Sequence, residues 1–151
     1  MLIVEDTRNQ VGKHKILNAE LKKMGHEIIR SKLLVGDYVK LEKPIVCIDT
    51  KKDYLELANN ICGKSHERFR NECLRAKNYG LRLVVLVEEE IPAEQWNSPC
   101  RANKKPITQV KGETLAKAMK TMTEKYGVEF RYCNKRETAK VIVQLLEEDE
   151  K

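Results

Sequence analysis

Three residues in the segment "GDYVKLEKPIVCIDTKK" (residues 36–52) have the types and the spacing of a catalytic centre. The apolar run that ends on Asp49 predicts a buried strand, and the strand before it begins near Asp37. If the turn between them is centred on Lys43, antiparallel pairing sets Asp37 opposite Asp49. Two like charges at such a position are destabilising, and a divalent cation bound between them would offset this cost. Side chains alternate along a strand, so Lys51 lies on the same face as Asp49.

Two carboxylates and a lysine at one sheet edge are suited to phosphodiester hydrolysis. Carboxylate oxygens hold Mg²⁺ or Mn²⁺, which polarises a phosphate and acidifies bound water, and a lysine can orient that water or neutralise charge in the transition state. Gly36 permits a bulge or a close backbone approach beside Asp37. Two alternatives remain open. The acids are merely strand ends that reach solvent, or the register slips by one residue and turns Asp37 to the opposite face.

The rest of the chain predicts the elements that position these residues. Periodicity indicates strands at 2–5, 26–33, 34–41, 44–51, 81–89 and 128–133, and helices at 14–25, from 54 onward, and at 65–80, 112–127 and 135–148. Asp53 followed by Glu56 is typical of a helix N-terminus. This order predicts one α/β domain over residues 1–151, a three-layer sandwich with a mixed central sheet flanked by helices. An irregular, proline-containing loop is predicted at about 91–111 and a short acidic tail at 147–151.

Composition narrows the class of protein. The net charge of +6 favours a polyanionic partner, although a lysine-rich solvated surface is an equal alternative. Five widely spaced cysteines without a CxxC pair favour a reduced intracellular protein over a disulfide framework or a zinc site. The apolar runs are too short for a signal peptide or a membrane span, so we expect a protein that is not secreted and has no membrane partner. We expect it to be cytoplasmic, and nucleoid-associated in a prokaryote or a phage-infected cell.

Several motifs in order resemble the nuclease domain of the XPF family of structure-specific endonucleases, which includes the archaeal Hef nuclease. The resemblance covers most of the chain outside residues 91–111, and its segments are "VEDTRNQ", "VGDYV", "IDTKKDYL", "ERFRNECLRAKNYGLRLVVLVEE" and "YGVEFRYCNKRETAKVIVQLLEE". Departures from the family pattern fall at Asn9, Thr50, Leu55 and Glu72, which stand where the family has glutamate, arginine, aspartate and glutamine. Asp49 replaces the glutamate of the family's ERK motif, a change that related PD-(D/E)xK nucleases tolerate.

The resemblance implies a restriction-endonuclease-like fold and a Mg²⁺- or Mn²⁺-dependent endonuclease for branched, flap or junction DNA in repair or recombination. Asp37, Asp49 and the Thr50 carbonyl are the expected metal ligands, Lys51 positions water, and Asp6 assists near the metal. The expected DNA-binding residues are Arg8, Arg68 and Arg75, and also Lys104 and Lys105 in the loop, where Trp96 could stack on a base. For Arg68 and Arg75 the alternative is a solvated helix face, and for the loop it is a basic segment of no consequence.

Other expectations concern assembly and the competing functions. The helix with Val141, Ile142, Leu145 and Leu146 is either core or, by the resemblance, part of a homodimer interface, and a helicase or DNA-targeting protein is a possible partner. His14 and His26 are predicted to be surface residues. The alternative function is a catalytically inactive DNA-binding or dimerisation scaffold of the same fold. A metabolic α/β enzyme finds no support, because the sequence contains no GxGxxG or GxxxxGK phosphate loop.

Overall fold

A six-stranded mixed sheet lies at the centre of the computed structural model, which describes residues 1–148. The strands are β1 (Leu2–Asp6), β2 (Glu27–Ser31), β3 (Tyr38–Lys40), β4 (Val46–Lys51), β5 (Arg82–Val87) and β6 (Glu129–Tyr132), in the order β2-β1-β3-β4-β5-β6. β3 is antiparallel to both of its neighbours, and the other pairs are parallel. Tyr38 pairs with Ile48, which is the register predicted from a turn centred on Lys43.

Helices cover both faces of the sheet and complete the predicted three-layer sandwich. They are α1 (Lys15–Lys23), α2 (Tyr54–Cys62), α3 (His66–Asn78), α4 (Gly112–Tyr126) and α5 (Thr138–Glu147). Alternate residues of β5 are buried on opposite faces, Val85 against α2, α3 and α4, and Val84 against α1 and α5. Each face therefore has its own apolar core, and the predicted fold class is confirmed.

The beginning of α2 follows the predicted capping pattern. Asp53 Oδ1 accepts a hydrogen bond from the Glu56 amide at 2.8 Å, while the Glu56 carboxylate accepts from the Lys52 amide at 3.3 Å. Ser65 occupies the N-cap position of α3 but makes no side-chain hydrogen bond there. β3 is shorter than predicted, because the residues before Tyr38 form the irregular approach to the strand.

The loop at 91–111 is better anchored than its composition suggested. Trp96 is 6% exposed and packs edge-on against Tyr54, with ring centroids 6.2 Å apart. The expectation that Trp96 stacks on a base is therefore wrong, because its ring belongs to the core. Lys104 and Lys105 are exposed in a turn closed by a bridge between Cys100 and Pro106.

The C-terminal helix belongs to the core. Ile142, Leu145 and Leu146 are buried against the sheet, and Val141 packs at the margin. Of the predicted acidic tail, Glu147 ends α5 and Glu148 pairs with Arg82 at 2.8 Å, whereas residues 149–151 lie outside the described part of the chain. No helix within residues 1–148 is long and apolar enough to cross a membrane.

Candidate active site

The ends of three strands meet at one edge of the sheet. β1 and β4 end there, and β3, antiparallel to both, begins there. Side-chain alternation directs Asp6, Asp37, Asp49 and Lys51 to the face covered by α2 and α3, where they line a cavity of about 360 Å³, called the cleft below. The predicted DNA-binding residues Arg8, Arg68 and Arg75 also line the cleft.

Asp37 is a hydrogen-bonded carboxylate. It is 7% exposed, its Oδ2 accepts hydrogen bonds from the Thr50 amide at 2.9 Å and the Thr50 hydroxyl at 2.8 Å, and its Oδ1 accepts one from Asn9 Nδ2 at 3.0 Å. Burial alone would raise the pKa of Asp37, but these hydrogen bonds and the charge of His14 outweigh it and hold the pKa below its usual value. Asp37 is therefore ionised at neutral pH.

The environment of Asp49, unlike that of Asp37, disfavours a charged carboxylate. It is 6% exposed, and its buried Oδ2 has no hydrogen-bond partner, although Lys51 Nζ lies 3.2 Å away without hydrogen-bond geometry. Burial, followed by the charge of Asp37, raises the pKa of Asp49 well above its usual value, and Lys51 opposes this shift without cancelling it. Two neighbouring carboxylates whose pKa values are driven apart are typical of functional sites.

Lys51 is fixed beside the two acids. Its Nζ donates a hydrogen bond to Asn60 Oδ1 at 3.0 Å and lies 5.9 Å from the centre of the Phe69 ring. Burial lowers the pKa of Lys51, but the Asp49 carboxylate more than compensates, so the net shift is upward. The ammonium group therefore stays charged at neutral pH.

Charged residues of the cleft hold the backbone that leads into Asp37. Asp6 Oδ1 accepts a hydrogen bond from the Leu33 amide, and Arg8 Nη2 donates to the Leu33 carbonyl, both at 2.9 Å. Arg8 Nε also pairs with Asp6 Oδ2 at 2.7 Å. Asp6 and Arg8 together thus satisfy both backbone polar groups of Leu33, and the structure gives them a positioning contact in addition to any role toward metal or DNA.

Two residues of α3 also form hydrogen bonds with the backbone that leads into Asp37. Arg75 Nε donates to the Leu34 carbonyl at 2.9 Å, and Glu72 Oε1 accepts from the Gly36 amide at 2.9 Å. Gly36 has φ +81°, and a Cβ added there would lie 3.1 Å from the Ile48 carbonyl oxygen. A glycine is required because the chain turns in the left-handed region while pressed against β4.

The remaining predicted site residues differ in their position relative to the cleft. Arg68 is exposed at the wall of the cleft, where it can meet a phosphate. Thr50 contacts Asp37 through its amide and hydroxyl. Lys104 and Lys105 do not line the cleft, so the structure does not bring them together with the acids.

His14 was missed by sequence analysis. Its side chain is only 10% exposed, with Nδ1 3.1 Å from Glu5 Oε2 and Nε2 3.2 Å from Thr50 Oγ1. It therefore links a buried carboxylate of β1 to the residue that holds Asp37. The prediction of a surface position is wrong for His14, whereas His26 is half-buried with Nδ1 2.8 Å from the Met1 amine.

Glu72 was also missed as a cleft carboxylate. Sequence analysis named it only as a departure from the family pattern, and it lines the cleft together with Arg68 and Arg75. The usable signal was its spacing from Arg68, which puts a carboxylate one helical turn from a residue already assigned to the site.

The donor set of the cleft fits a hard divalent cation. Asp49 presents a buried oxygen without a hydrogen-bond partner, and Asp37 is an ionised carboxylate beside it. Within residues 1–148, no three His, Cys, Asp or Glu side chains form a group that could hold a metal by themselves. A cation there would therefore combine two carboxylates with backbone and solvent oxygens, a set that Mg²⁺ accepts.

Comparison with known proteins agrees with this fold. A family model described as the ERCC4 domain matches residues 5–145. Similar solved structures include XPF from Aeropyrum pernix, with a TM-score of 0.68, 16% identity, and coverage of 100% of this chain and 66% of that one. XPF from Aeropyrum pernix in complex with DNA has a TM-score of 0.69, 16% identity, and coverage of 99% and 64%. A search of curated proteins finds no match.

The mixed sheet between two helical layers, with acids and a lysine at one edge, defines an α/β domain with the fold of the XPF nuclease domain. The family match extends over nearly the whole chain, so this chain belongs to the ERCC4 domain family. The predicted resemblance to XPF-type nuclease domains is thus confirmed. The chain spans slightly less than two thirds of the length of the two XPF structures.

Proposed function

We propose that this chain is a metal-dependent DNA endonuclease domain that hydrolyses phosphodiester bonds in branched, flap or junction DNA. One observation carries the proposal. An ERCC4 domain places a hydrogen-bonded Asp37, an unsatisfied Asp49 and a charged Lys51 in one cleft. One of the similar structures is an XPF in complex with DNA, which supports DNA as the substrate.

Asp37, Asp49 and the Thr50 carbonyl would hold Mg²⁺ or Mn²⁺. When bound, such an ion polarises the phosphate and neutralises charge that develops on it. The hydrogen bonds from Thr50 and Asn9 keep Asp37 ionised and fixed in orientation. Lys51, held by Asn60, orients the attacking water and balances negative charge in the transition state.

The basic residues would guide the DNA backbone. Arg68 is exposed at the cleft and would contact the phosphate next to the cut. Arg8 and Arg75 add positive charge there while they hold the segment before Asp37. Lys104 and Lys105 would contact the backbone farther along the duplex.

The decisive test is cleavage of end-labelled flap, fork, four-way junction and linear duplex DNA. Reactions contain Mg²⁺, Mn²⁺ or EDTA, with Asp49→Asn as the inactive variant and Glu124→Gln, an exposed change on α4, as the control. We expect metal-dependent cutting that favours branched DNA and falls at least about 100-fold in Asp49→Asn. DNA binding without cutting under any condition would refute the endonuclease and leave the non-catalytic scaffold.

We also propose that the working unit is a homodimer that a helicase or another DNA-targeting protein can direct to its substrate. β6 lies at the edge of the sheet, where the half-exposed Tyr132 supplies apolar surface suited to a second copy. Light scattering on the purified chain tests the dimer directly, and a single species of about 17.5 kDa at all concentrations would refute it.

A further inference from the structure

Glu72 is a fourth carboxylate in the cleft, besides Asp6, Asp37 and Asp49, and the reaction outlined above gives its charge no role. It projects from α3 beside Asp37 and Asp49 and is half-buried. Its Oε1 accepts a hydrogen bond from the Gly36 amide at 2.9 Å. A neutral amide oxygen would accept that bond equally well. The hydrogen bond therefore explains an oxygen at this position but not a negative charge.

The charge of Glu72 acts on the interior of the cleft. Together with burial and Asp37, it raises the pKa of Asp49. The pKa values of the Cys47 and Cys73 thiols are raised to about 12, chiefly by burial and next by the charge of Glu72. The Arg75 guanidinium one turn away donates its Nε to the Leu34 carbonyl. The cleft thus gathers negative charge around Asp49, whose Oδ2 has the Lys51 ammonium 3.2 Å away but no hydrogen-bond partner.

From this arrangement we propose that Glu72 strengthens the binding of a divalent cation in the cleft through its negative charge. No three acidic side chains within residues 1–148 can enclose one ion, so Glu72 acts across intervening solvent and Asp37 and Asp49 remain the direct ligands. The inference rests on the proposed metal site and adds a positioning and charge-balancing residue to it. It predicts that metal affinity, more than the maximal rate of cleavage, depends on Glu72.

The isosteric variant Glu72→Gln separates charge from hydrogen bonding, because glutamine retains the acceptor for the Gly36 amide. Glu72→Ala removes both, and Glu67→Gln is a matched control on an exposed position of the same helix. Mn²⁺ binding to the intact chain, without DNA, is measured by electron paramagnetic resonance of the free ion. Cleavage is then measured against Mg²⁺ concentration.

We expect Glu72→Gln to weaken Mn²⁺ binding about tenfold, the lower end of effects seen for residues behind the direct ligands. The Mg²⁺ concentration for half-maximal cleavage should rise in parallel, with little change in the rate at saturation. Wild-type affinity in Glu72→Gln, with weakened binding only in Glu72→Ala, would overturn the inference and leave the proposed function intact. A wild-type chain that neither binds Mn²⁺ nor cuts DNA would overturn both.

Discussion

Replacing each cleft aspartate by asparagine should change stability in opposite directions. Asp49→Asn removes a buried charge whose Oδ2 has no hydrogen-bond partner. Asp37→Asn weakens three hydrogen bonds to an ionised acceptor. In metal-free buffer the first variant should be more stable than the wild type and the second less stable, although both should lose metal-dependent cleavage.

The magnitudes follow from these environments. Asp49→Asn removes a charge that burial and Asp37 disfavour, and because each pKa unit corresponds to about 1.4 kcal/mol, it should recover at least about that much. Lys51 does not become isolated, because it keeps its hydrogen bond to Asn60 and the nearby negative charges of Glu56 and Asp37. Hydrogen bonds to a charged group contribute about 1.5–3 kcal/mol, which sets the loss expected for Asp37→Asn. In a chain of this size each kcal/mol corresponds to about 2–4 °C in Tm.

The two effects also differ in their pH dependence. Folding raises the pKa of Asp49 from 3.8, so its stabilising contribution is complete below that pH and is lost as pH rises through the folded value. Folding lowers the pKa of Asp37 from 3.8, so its contribution is present above that pH and is lost as pH falls through the folded value. The advantage of Asp49→Asn should therefore grow with rising pH.

Thermal unfolding in EDTA at several pH values, followed by addition of Mg²⁺, measures both effects. Mg²⁺ should raise the Tm of the wild type by preferential binding to the folded state and should leave both variants nearly unchanged. If Asp49→Asn were less stable than the wild type in EDTA at neutral pH, the reasoning would fail. The Asp49–Lys51 pair would then be net stabilising, contrary to the raised pKa of Asp49.

Three further changes test the surroundings of the acids. Gly36 and Gly127 both have positive φ (+81° and +75°), but only at Gly36 would an added Cβ meet other atoms. Gly127→Ala should lower the free energy of unfolding by about 1–2 kcal/mol, and Gly36→Ala should lower it by more. Equal losses in urea unfolding experiments would contradict this. His14→Ala should reduce cleavage about 10–100-fold, and unchanged cleavage would show that the contact with Thr50 is incidental. Replacing Lys104 and Lys105 with alanine should lower the salt dependence of DNA binding by about 1–2 in logarithmic slope, without altering the rate at saturating DNA.

The sheet and the central acids were predictable because their signals are local. Alternation with period two fixes which face Asp49 and Lys51 share, and one short turn fixes their register with Asp37. His14 could not be placed in this way, because its contacts join a loop to two different strands. Trp96 was misplaced for a related reason, since the composition of a proline-rich loop does not reveal which side chain returns to the core.

The side-chain hydrogen bonds to the backbone of residues 33–36 change how mutations of the basic residues should be interpreted. Arg8 and Arg75 both donate hydrogen bonds to carbonyls of this segment, so replacing either one releases the backbone that carries Asp37. A loss of cleavage in such a variant would not by itself identify a DNA contact. Replacing a residue that only neutralises phosphate lowers the salt dependence of DNA binding, whereas replacing one that only positions Asp37 lowers the cleavage rate at unchanged DNA affinity. Arg68, exposed at the cleft, should show the first behaviour alone, and Arg75, which also holds the Leu34 carbonyl, should show both.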